Sequence, residues 1–493
     1  MKGVRRWLAC TALLLAAAIL VACGVQPPDL RGLTLEKAAS QLEAVGLKLG
    51  AVTYDQASKA ATWTVVAQSP TDRVEEGAVV SVTLAGQAPT TIPDVSGAAI
   101  GVATAVLGDA GLVATTTVLV HDEQAPAGVV MAQEPAPGST VQRGSAVKLT
   151  VSEGPELPSS ATLTMSVAKR ITGALSPKSV VATQEGRVFA QNMIYRHTIS
   201  VFSDTTYKLV KTIPDKVVLS DFGFDGYDSP VQGGPVEAAV TPDGQFVYVS
   251  NYSMYGPRFS RPGDDKGGPN SGVDDSFVYR VRLDDLKIDQ VIKVGAVPKF
   301  VAVTPDGRYL LVSNWISYSL SVVDTATGKQ IKELRLGAFP RGIAVDSKSK
   351  YAYVAVMGST QIAKVDLATF KHTWLTGIGS GPRHLNISPD DAYLYVTLNG
   401  AGKVAKVDLA TGKVLDRVAT GRQPRSMTLS EDGDSLYVVN YEANTVSKLR
   451  TSDMKELQEI VVDTHPIGIA YVNATREIWV ATYRGVIVVL REK

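Results

Sequence analysis

Five basic side chains occupy one position of an internal repeat, directly after a recurring proline. They are Lys178, Lys299, Arg341, Arg383 and Arg425. If the copies of the repeat surround a common opening, five cations would line it and favour an anionic ligand or partner surface. The alternative is structural, because repeated residues often maintain contacts between units, and each side chain would then pair with a carboxylate or carbonyl group of the neighbouring copy. Two further copies carry Val236 and Ile467 here and add no charge.

One residue further along the repeat, Glu237 and His384 are candidates for acid-base chemistry. Their copies are three apart, so the two side chains could face each other across the opening as an acid and a base or as metal ligands. That arrangement would suit an enzyme such as a lactonase-like hydrolase. The alternative is a histidine that is only packed or hydrogen-bonded. The sequence has no Cys-x-x-Cys-His haem motif and no paired-histidine zinc motif, and we therefore favour a non-catalytic protein.

Two insertions in the repeat carry further candidates. Aromatic and basic residues of the later insertion could form a contact surface or could fix the loop to the fold: Tyr252, Tyr255, Arg258, Phe259 and Arg261. Acidic residues beside glycines offer the oxygen ligands that Ca²⁺ prefers: Asp221, Asp225, Asp228, Asp264 and Asp265. Their spacing does not fit an EF-hand loop, and acidic loops are commonly just solvated. We therefore predict no cofactor, with Ca²⁺ as the alternative.

The repeat that carries these residues has a period of 42. It is marked by a proline followed by a short apolar run, at Pro298, Pro340, Pro382, Pro424 and Pro466. Each period holds four strand-like runs separated by turn sequences, such as Thr-Pro-Asp-Gly at 304–307 and Asp-Thr-Ala-Thr-Gly-Lys at 324–329. Four short strands in about forty residues predict one blade of a β-propeller.

The number of blades follows from the spacing of the prolines. Two more units begin at Pro235 and Pro177, and their longer spacings place one insertion around 221–234 and the other at 251–276. Seven units result, and the last one stops after its third strand. The run 163–171 matches the missing fourth strand, so the N-terminal segment is predicted to complete the last blade and close the ring. Both insertions are predicted to rise on the face that carries the basic residues.

The strand and turn motifs resemble a known family. The runs Phe-Val-Tyr-Val-Ser-Asn at 246–251, Leu-Tyr-Val-Thr at 394–397 and Leu-Tyr-Val-Val-Asn at 436–440, together with the two turns, resemble the YVTN-type repeats of bacterial seven-bladed propellers. The resemblance covers 163–493 and predicts a propeller domain over 162–493. It implies a fold but no activity, because such propellers serve unrelated functions.

A second repeat precedes the propeller. Asp29, Gly32, Gly46 and the Gln-Ser-Pro at 68–70 return 65 positions later as Asp94, Gly97, Gly111 and the Gln-Glu-Pro at 133–135. A helix followed by alternating strands with these motifs resembles the PASTA domain of penicillin-binding proteins and serine/threonine kinases. The resemblance implies PASTA domains at 23–87 and 88–153, with a linker at 154–161. Some PASTA domains bind peptidoglycan and others act as spacers; Trp63 could stack on a sugar or pack on the sheet.

The first residues predict export and anchoring. Lys2, Arg5 and Arg6 precede an apolar stretch that ends Leu-Val-Ala-Cys at 20–23, which resembles the lipobox of bacterial lipoproteins. This implies a signal peptide at 1–22 and a lipid on Cys23; the alternatives are an uncleaved anchor or an ordinary signal peptide. Cys10 would leave with the signal, so the mature chain could form no internal disulfide.

Taken together, the sequence predicts a multidomain protein with two small α+β PASTA modules and an all-β seven-bladed propeller. We predict a non-catalytic, extracytoplasmic lipoprotein whose lipid contacts the membrane. The propeller is predicted to bind a protein or an anionic ligand, and the PASTA pair to act as a stalk that could also bind peptidoglycan. The net charge of +1 argues against a nucleic-acid partner.

Overall fold

The computed structural model describes residues 24–493, apart from the side chains of 116–118. The predicted signal peptide and the predicted lipidation site, Cys23, lie outside the described residues. The chain divides into two compact units, and the boundary along the sequence falls between Leu157 and Pro158. No helix in the described part of the chain is long and apolar enough to cross a bilayer.

The first unit contains two modules of the same design, each with one helix against a three-stranded sheet. The first module contains α1 (Leu35–Ala44), β1 (Lys48–Asp55), β2 (Val65–Ser69) and β3 (Val79–Ala85). The second contains β4 (Pro89–Thr91), α2 (Ile100–Asp109), β5 (Val113–His121), β6 (Val130–Glu134), β7 (Thr140–Gln142) and β8 (Ala146–Gly154). The last strand is central in both sheets, parallel to the first strand and antiparallel to the second.

Local sequence explains these elements. The Thr34 hydroxyl accepts a hydrogen bond from the backbone N–H of Lys37 and so caps the start of α1. Ala38 and Leu42, one turn apart, are fully buried against the sheet, and Gly46 takes the left-handed conformation that ends the helix (φ 77°). Alternation of buried and exposed residues along β3 and β8 provides the other half of each core.

The repeated glutamine of each module fixes the segment that enters it. Gln68 accepts a hydrogen bond from the N–H of Leu30 (2.7 Å) and donates one to the carbonyl of Pro28 (2.8 Å). Gln133 bonds Val95 and Pro93 in the same way, at 2.8 and 2.9 Å. The glutamines of the repeat are therefore required for the fold, because they satisfy backbone groups that no strand partner reaches.

The second unit consists of seven successive antiparallel sheets. The first sheet contains β10 (Pro177–Ala182), β11 (Arg187–Asn192), β12 (Thr198–Ser203) and β13 (Leu209–Pro214). The second contains β14 (Lys216–Val218), β15 (Pro230–Val240), β16 (Phe246–Tyr255), β17 (Phe277–Arg282) and β18 (Ile288–Lys293). The third contains β19 (Pro298–Val303), β20 (Tyr309–Asn314), β21 (Ser319–Asp324) and β22 (Lys329–Arg335).

The remaining four sheets keep the same order of strands. The fourth contains β23 (Pro340–Val345), β24 (Tyr351–Val356), β25 (Gln361–Asp366) and β26 (His372–Leu375). The fifth contains β27 (Pro382–Ile387), β28 (Tyr393–Leu398), β29 (Lys403–Asp408) and β30 (Val414–Ala419). The sixth contains β31 (Pro424–Leu429), β32 (Ser435–Asn440), β33 (Thr445–Arg450) and β34 (Glu456–Val461), and the seventh β35 (Pro466–Val472), β36 (Glu477–Thr482), β37 (Ile487–Glu492) and β9 (Met165–Ile171).

The turn sequences of the repeat form the hairpins. In the third sheet, the Thr304 hydroxyl bonds Asp306 (2.5 Å), and Gly307 adopts φ 71° between β19 and β20. Between β21 and β22, Asp324 accepts hydrogen bonds from the backbone and the hydroxyl of Thr327, both at 2.8 Å, and Gly328 adopts φ 66°. These positive φ angles explain why the third sheet has glycine at both turns.

Apolar side chains fill the space between successive sheets. One core contains Leu311 and Val322 from the third sheet and Ile343 and Val354 from the fourth, all buried. The first strands lie side by side, so β10, β15, β19, β23, β27, β31 and β35 each contact the first strand of the next sheet, and β35 contacts β10. Each sheet therefore has two neighbours among the seven, and residues near the start of every first strand lie close together.

The segment 154–161, predicted as a linker, begins in a strand of the first unit and ends in contacts with the second. Gly154 is the last residue of β8, and residues 160–162 form a single 3₁₀ turn. Ser160 is fully buried; its backbone N–H and its hydroxyl bond the two oxygens of Asp432, at 2.6 and 2.7 Å. The C-terminal part of this segment therefore belongs to the second unit.

β9 pairs with β37 although the two strands are more than 300 residues apart in the chain. The register joins Ile171 to Ile487 and Met165 to Glu492, and the backbones of Thr164 and Lys493 exchange two further hydrogen bonds, at 2.9 and 3.0 Å. β9 covers an edge of β37 that would otherwise be free to pair with another chain.

Beside this strand pair, Lys448 and Glu492 form a fully buried ion pair (Nζ to Oε1, 2.5 Å). Lys448 also donates hydrogen bonds to the carbonyls of Ser160 (2.6 Å) and Leu163 (2.8 Å). Glu492 accepts hydrogen bonds from the hydroxyls of Tyr437 and Tyr471. The network joins the sixth sheet, the seventh sheet and the segment that leads into β9.

Candidate functional site

The structure brings the five repeated cations together. Lys178, Lys299, Arg341, Arg383 and Arg425 are each the second residue of a first strand, and we call them the basic cluster. Four of them are no more than 8% exposed, and Arg425 is half-buried. Burial, and then the charges of other members of the cluster, lower the pKa of Lys178 well below its usual range. Burial and the charges of Arg341 and Arg425 likewise lower the pKa of Arg383.

Two carboxylates enter the basic cluster, and both come from the irregular second sheet. Glu237 of β15 lies 3.4 Å from Arg341 and 3.9 Å from Lys178. Asp265, in the insertion after β16, accepts a hydrogen bond from Lys299 (2.5 Å) and one from the Tyr252 hydroxyl (3.1 Å). This insertion therefore reaches the face of the basic cluster, as the sequence predicted for it.

Lys299 is enclosed by aromatic rings. Its ammonium lies 4.4 Å from the ring centre of Tyr252 and 5.1 Å from that of Trp315, and the Trp315 indole donates a hydrogen bond to the Asp265 carbonyl (3.2 Å). Burial and the charge of Arg341 lower the pKa of Lys299 to about 7, although Asp265 opposes this shift. Lys299 therefore titrates near neutral pH, where most lysines remain fully charged.

The guanidinium of Arg425 packs against a pair of stacked aromatic rings. Its guanidinium lies 3.4 Å from the ring centre of Tyr441, and the Tyr441 ring stacks on His465 at 4.4 Å and 12°. Tyr483 meets Tyr441 edge to face at 5.7 Å. A stacked guanidinium loses little further freedom on binding, so this arginine is preorganised for a ligand.

Of the aromatic residues beside the cations, only Tyr252 was named from the sequence, and Trp315, Tyr441 and Tyr483 were missed. Tyr252, Trp315, Tyr441 and Tyr483 follow the regular part of the second strand of their repeats, and Met193 and Met357 hold the same position. Arg383 donates a weak hydrogen bond to the sulfur of Met357 (3.8 Å). An alignment of the repeats on this position as well as on the proline would have revealed a second ring of large side chains beside the cations.

Glu237 and His384 contact different groups. Glu237 is engaged with Arg341 and Lys178, whereas the His384 ring packs edge to face on Phe300 at 5.1 Å. Burial and three nearby cations lower the pKa of His384 to about 3. The ring is therefore neutral at physiological pH, and these contacts resemble packing more than a matched acid-base pair.

The other predicted contact residues hold the two insertions together. The Arg258 guanidinium lies 5.2 Å from the Tyr227 ring centre, and Phe259 packs on Tyr227 and Phe277 at 5.7 and 6.1 Å. Tyr255 lies against the His197 ring at 4.9 Å and is 38% exposed. These residues mainly fix the insertions to the second sheet.

The acidic residues of the insertions are dispersed. Asp264 accepts hydrogen bonds from the backbone of Lys266 (2.7 Å) and Gly267 (2.8 Å), and Asp265 is engaged with Lys299. Asp221 lines an open groove of about 810 Å³ at the outer strands β18 and β22, away from the basic cluster, whereas Asp225 and Asp228 are exposed. Over residues 24–493, no group of three or more His, Cys, Asp or Glu side chains is placed to hold a metal ion.

The second sheet also carries unpaired buried polar groups. In the third sheet the Asn314 amide donates to the hydroxyls of Ser319 and Ser321, at 3.1 and 2.8 Å. Asn251 is the equivalent residue, but β17 has Phe277 and Tyr279 where β21 has the serines. Neither polar atom of the Asn251 amide has a hydrogen-bond partner in the described part of the chain. The second sheet therefore lacks the polar network that the first, third and sixth sheets have at this position.

Asp215, directly before β14, predicts a pH dependence of stability. Its side chain is fully buried, neither carboxyl oxygen has a hydrogen-bond partner among the described residues, and burial raises its pKa well above the usual range. The folded chain thus retains a proton that the unfolded chain releases near pH 4. Stability is therefore greatest below that pH and decreases by about 1.4 kcal/mol per pH unit until the folded-state pKa is passed.

Asp215→Asn should remove this loss, because the amide resembles the protonated acid, so its advantage over the parent protein should grow by about 1.4 kcal/mol for each pH unit between pH 4 and the folded-state pKa of Asp215. Urea unfolding between pH 4.5 and 8.5 measures the effect, and Asp228→Asn, an exposed aspartate, is the matched control. Equal pH profiles for Asp215→Asn and the parent protein would contradict the prediction.

Comparisons with known proteins cover separate parts of the chain. A PASTA domain model matches residues 25–86 and 90–153, and a YNCE-like beta-propeller model matches 328–469. A probable serine/threonine-protein kinase of Corynebacterium efficiens is 34% identical over 136 residues, which are 27% of this chain and 20% of the kinase. The serine/threonine-protein kinase PrkC of Bacillus subtilis is 37% identical over 137 residues, 27% of this chain and 21% of the kinase. The chain thus spans about a fifth of the length of these relatives.

Among solved structures, a chain of Kuenenia stuttgartiensis hydrazine synthase is similar with a TM-score of 0.52 and 18% identity. The similarity covers 66% of this chain and 98% of the other. At this identity it is a likeness of fold alone.

Proposed function

We propose that this chain, which carries two PASTA domains and a YNCE-like β-propeller, is a non-catalytic binding protein of the cell surface. In this proposal a lipid on Cys23 anchors it, the PASTA pair forms a short stalk with affinity for peptidoglycan, and the propeller binds its ligand at the face of the basic cluster. The propeller has seven YVTN-type blades and is closed by β9. The series of seven sheets and the pairing of β9 with β37 support this arrangement.

One observation carries the binding function. The basic cluster holds five cations against two carboxylates, Glu237 and Asp265, within a largely buried set of side chains. Buried charge without a partner is costly, and the lowered pKa values of Lys178, Lys299 and Arg383 express this cost. An anionic ligand would offset it, which supports a binding site at the cluster. The alternative of purely structural pairing predicts a carboxylate or carbonyl partner for each cation, and Arg383 instead bonds a sulfur atom.

The first unit supports a place outside the cytoplasm. PASTA domains occur in extracellular parts of membrane kinases, and two kinases are among the relatives of this chain. Val25, two residues after Cys23, already pairs with Val74 of the first module (N to O, 2.7 Å). A lipid on Cys23 would therefore hold the first module close to the bilayer. Trp63 is half-buried, and its indole bonds the Gln87 carbonyl (3.2 Å), which favours a packing role for this residue.

Co-sedimentation with purified peptidoglycan tests the role of the PASTA pair. We expect most of chain 24–493 to sediment and chain 158–493, which lacks both modules, to remain in the supernatant. Equal behaviour of the two chains would leave the pair as a stalk only. The same preparations should not hydrolyse a panel of lactones; hydrolysis that is lost in His384→Gln would replace the binding function by the lactonase-like alternative.

A further inference from the structure

The excess positive charge is concentrated on one arc of the basic cluster. Glu237 and Asp265 both belong to the second sheet, and they engage Lys178, Lys299 and Arg341, which come from the first, third and fourth sheets. Arg383 and Arg425, from the fifth and sixth sheets, have no ion pair in the described part of the chain. Arg341 shares Glu237 with Lys178, so the arc of Arg341, Arg383 and Arg425 is the side of the cluster with the fewest anions.

Two nitrogen atoms on this arc have no hydrogen-bond partner among the described residues. Arg341 Nη1 and Arg425 Nε are buried and without a hydrogen bond in the described residues, and the contact of Arg341 Nη2 with Glu237 is long at 3.4 Å. A buried guanidinium normally satisfies its N–H groups, because leaving them unpaired costs free energy. These atoms therefore indicate a missing acceptor next to Arg341 and Arg425.

From this geometry we infer that the arc of Arg341, Arg383 and Arg425 binds a compact, multiply charged oxyanion, such as a phosphate monoester or a pair of neighbouring carboxylates. This inference rests on the proposed binding function and names the chemistry of its ligand. Three guanidinium groups offer fork-shaped sets of donors, which match phosphate and carboxylate oxygens better than single points of charge do. With every cation protonated, five cations and two carboxylates would carry a net charge of +3; a multivalent anion offsets this charge better than a monovalent one and thereby favours the protonated forms.

The depth of the arc favours a compact group over an extended polyanion. Arg341 and Arg383 are 4% and 8% exposed, so only a small charged group that enters between the first strands can reach them. The aromatic side chains of Tyr441 and Tyr483, beside the arc, would surround the part of the ligand that carries this group. Nucleic-acid binding sites, by contrast, spread their cations over exposed surfaces.

Titration of the chain 24–493 with inorganic phosphate, pyrophosphate and citrate at constant ionic strength tests the inference. We expect saturable binding by calorimetry and a rise in Tm with concentration, as for any ligand of the folded state. Citrate and the two phosphates separate carboxylate from phosphate ligands. Because Lys299 is only partly protonated near pH 7, binding should also take up protons, which calorimetry in two buffers of different ionisation enthalpy measures.

Single substitutions test whether the residues of the arc bind the anion. Arg383→Gln should weaken binding about tenfold, as expected for the loss of a charge-assisted hydrogen bond, whereas Arg450→Gln, an exposed arginine paired with Asp453, should leave it unchanged. Glu237→Gln should tighten binding several-fold because it removes a competing carboxylate. Arg425→Gln, at a half-buried position, provides a second test if Arg383→Gln does not fold. Equal weakening by Arg383→Gln and Arg450→Gln would overturn the site.

The outcomes of these experiments also distinguish a failure of the oxyanion site from a failure of the proposed binding function. If chain 24–493 binds peptidoglycan or a surface partner but none of the three anions, the oxyanion site is wrong and the binding function stands. If phosphate binds with the expected dependence on Arg383 but a lactone is hydrolysed, the site is right and the non-catalytic function is wrong.

Discussion

Lys448→Met should lower the free energy of unfolding by about 3 kcal/mol, the low end for breaking a buried ion pair, because it leaves Glu492 in the interior with only Arg476, at 3.9 Å, as a counter-charge. Both side chains are fully buried, and the lysine also satisfies the carbonyls of Ser160 and Leu163. The loss should be measured by urea unfolding, followed by tryptophan fluorescence, to which Trp479, buried in the seventh sheet, contributes.

The repeat supplies a matched control for this substitution. Lys364 holds the same position in β25 as Lys448 in β33, but it is partly exposed and lies 4.2 Å from the ring centre of Tyr351. Lys364→Met should cost less than about 1 kcal/mol, the usual contribution of an exposed cation over a ring. The double variant Lys448→Met, Glu492→Gln should recover part of the loss, since neither charge then remains. Similar costs for Lys448→Met and Lys364→Met would show that the buried pair contributes little.

Gly342→Ala should cost about 2–3 kcal/mol, because the new methyl group meets backbone that cannot move aside. A Cβ at Gly342 would lie 2.6 Å from the Arg383 carbonyl oxygen and 2.8 Å from the His384 Cα. The absence of a side chain here also leaves room for Phe300 and His384, from the sheets on either side, to meet at 5.1 Å.

Thermal unfolding of Gly342→Ala and Gly101→Ala measures the effect. Gly101 lies in α2 with open space around it, so an alanine there should be neutral or stabilising by up to about 1 kcal/mol. We expect a decrease in Tm for Gly342→Ala alone. A tolerated alanine at Gly342 would mean that the first strands of neighbouring sheets can separate at little cost.

Much of the fold could be predicted from the sequence because each repeat contains the residues that begin its strands and form its turns. The strands β19, β23, β27, β31 and β35 begin at the prolines that set the 42-residue period. The PASTA motifs were read correctly because each one has a local purpose, as with Gln68 and the backbone of Leu30. Periodic sequences of this kind specify the same contacts several times over, so a single copy that deviates does not obscure them.

The site was only partly predictable, because its decisive contacts are made where the repeat is interrupted. The five cations were found from their common position, but nothing periodic indicates that Asp265 of an insertion reaches Lys299. Likewise, Lys448 is an ordinary lysine of the repeat until residues 158–163 cover it. Contacts between segments that are distant in the chain depend on the path of loops, and residue spacing carries no information on that path.

The pairing of β9 with β37 also sets an order of events for folding. Strands of the other sheets are neighbours in the sequence, so those sheets can form as the chain emerges, whereas β9 must wait until more than 300 further residues have appeared. Closing so long a loop is slow, because its entropy is lost before any contact compensates it. In the meantime the outer edge of the seventh sheet stays open to other chains. Nascent molecules should therefore be the form of this protein that is most prone to aggregate.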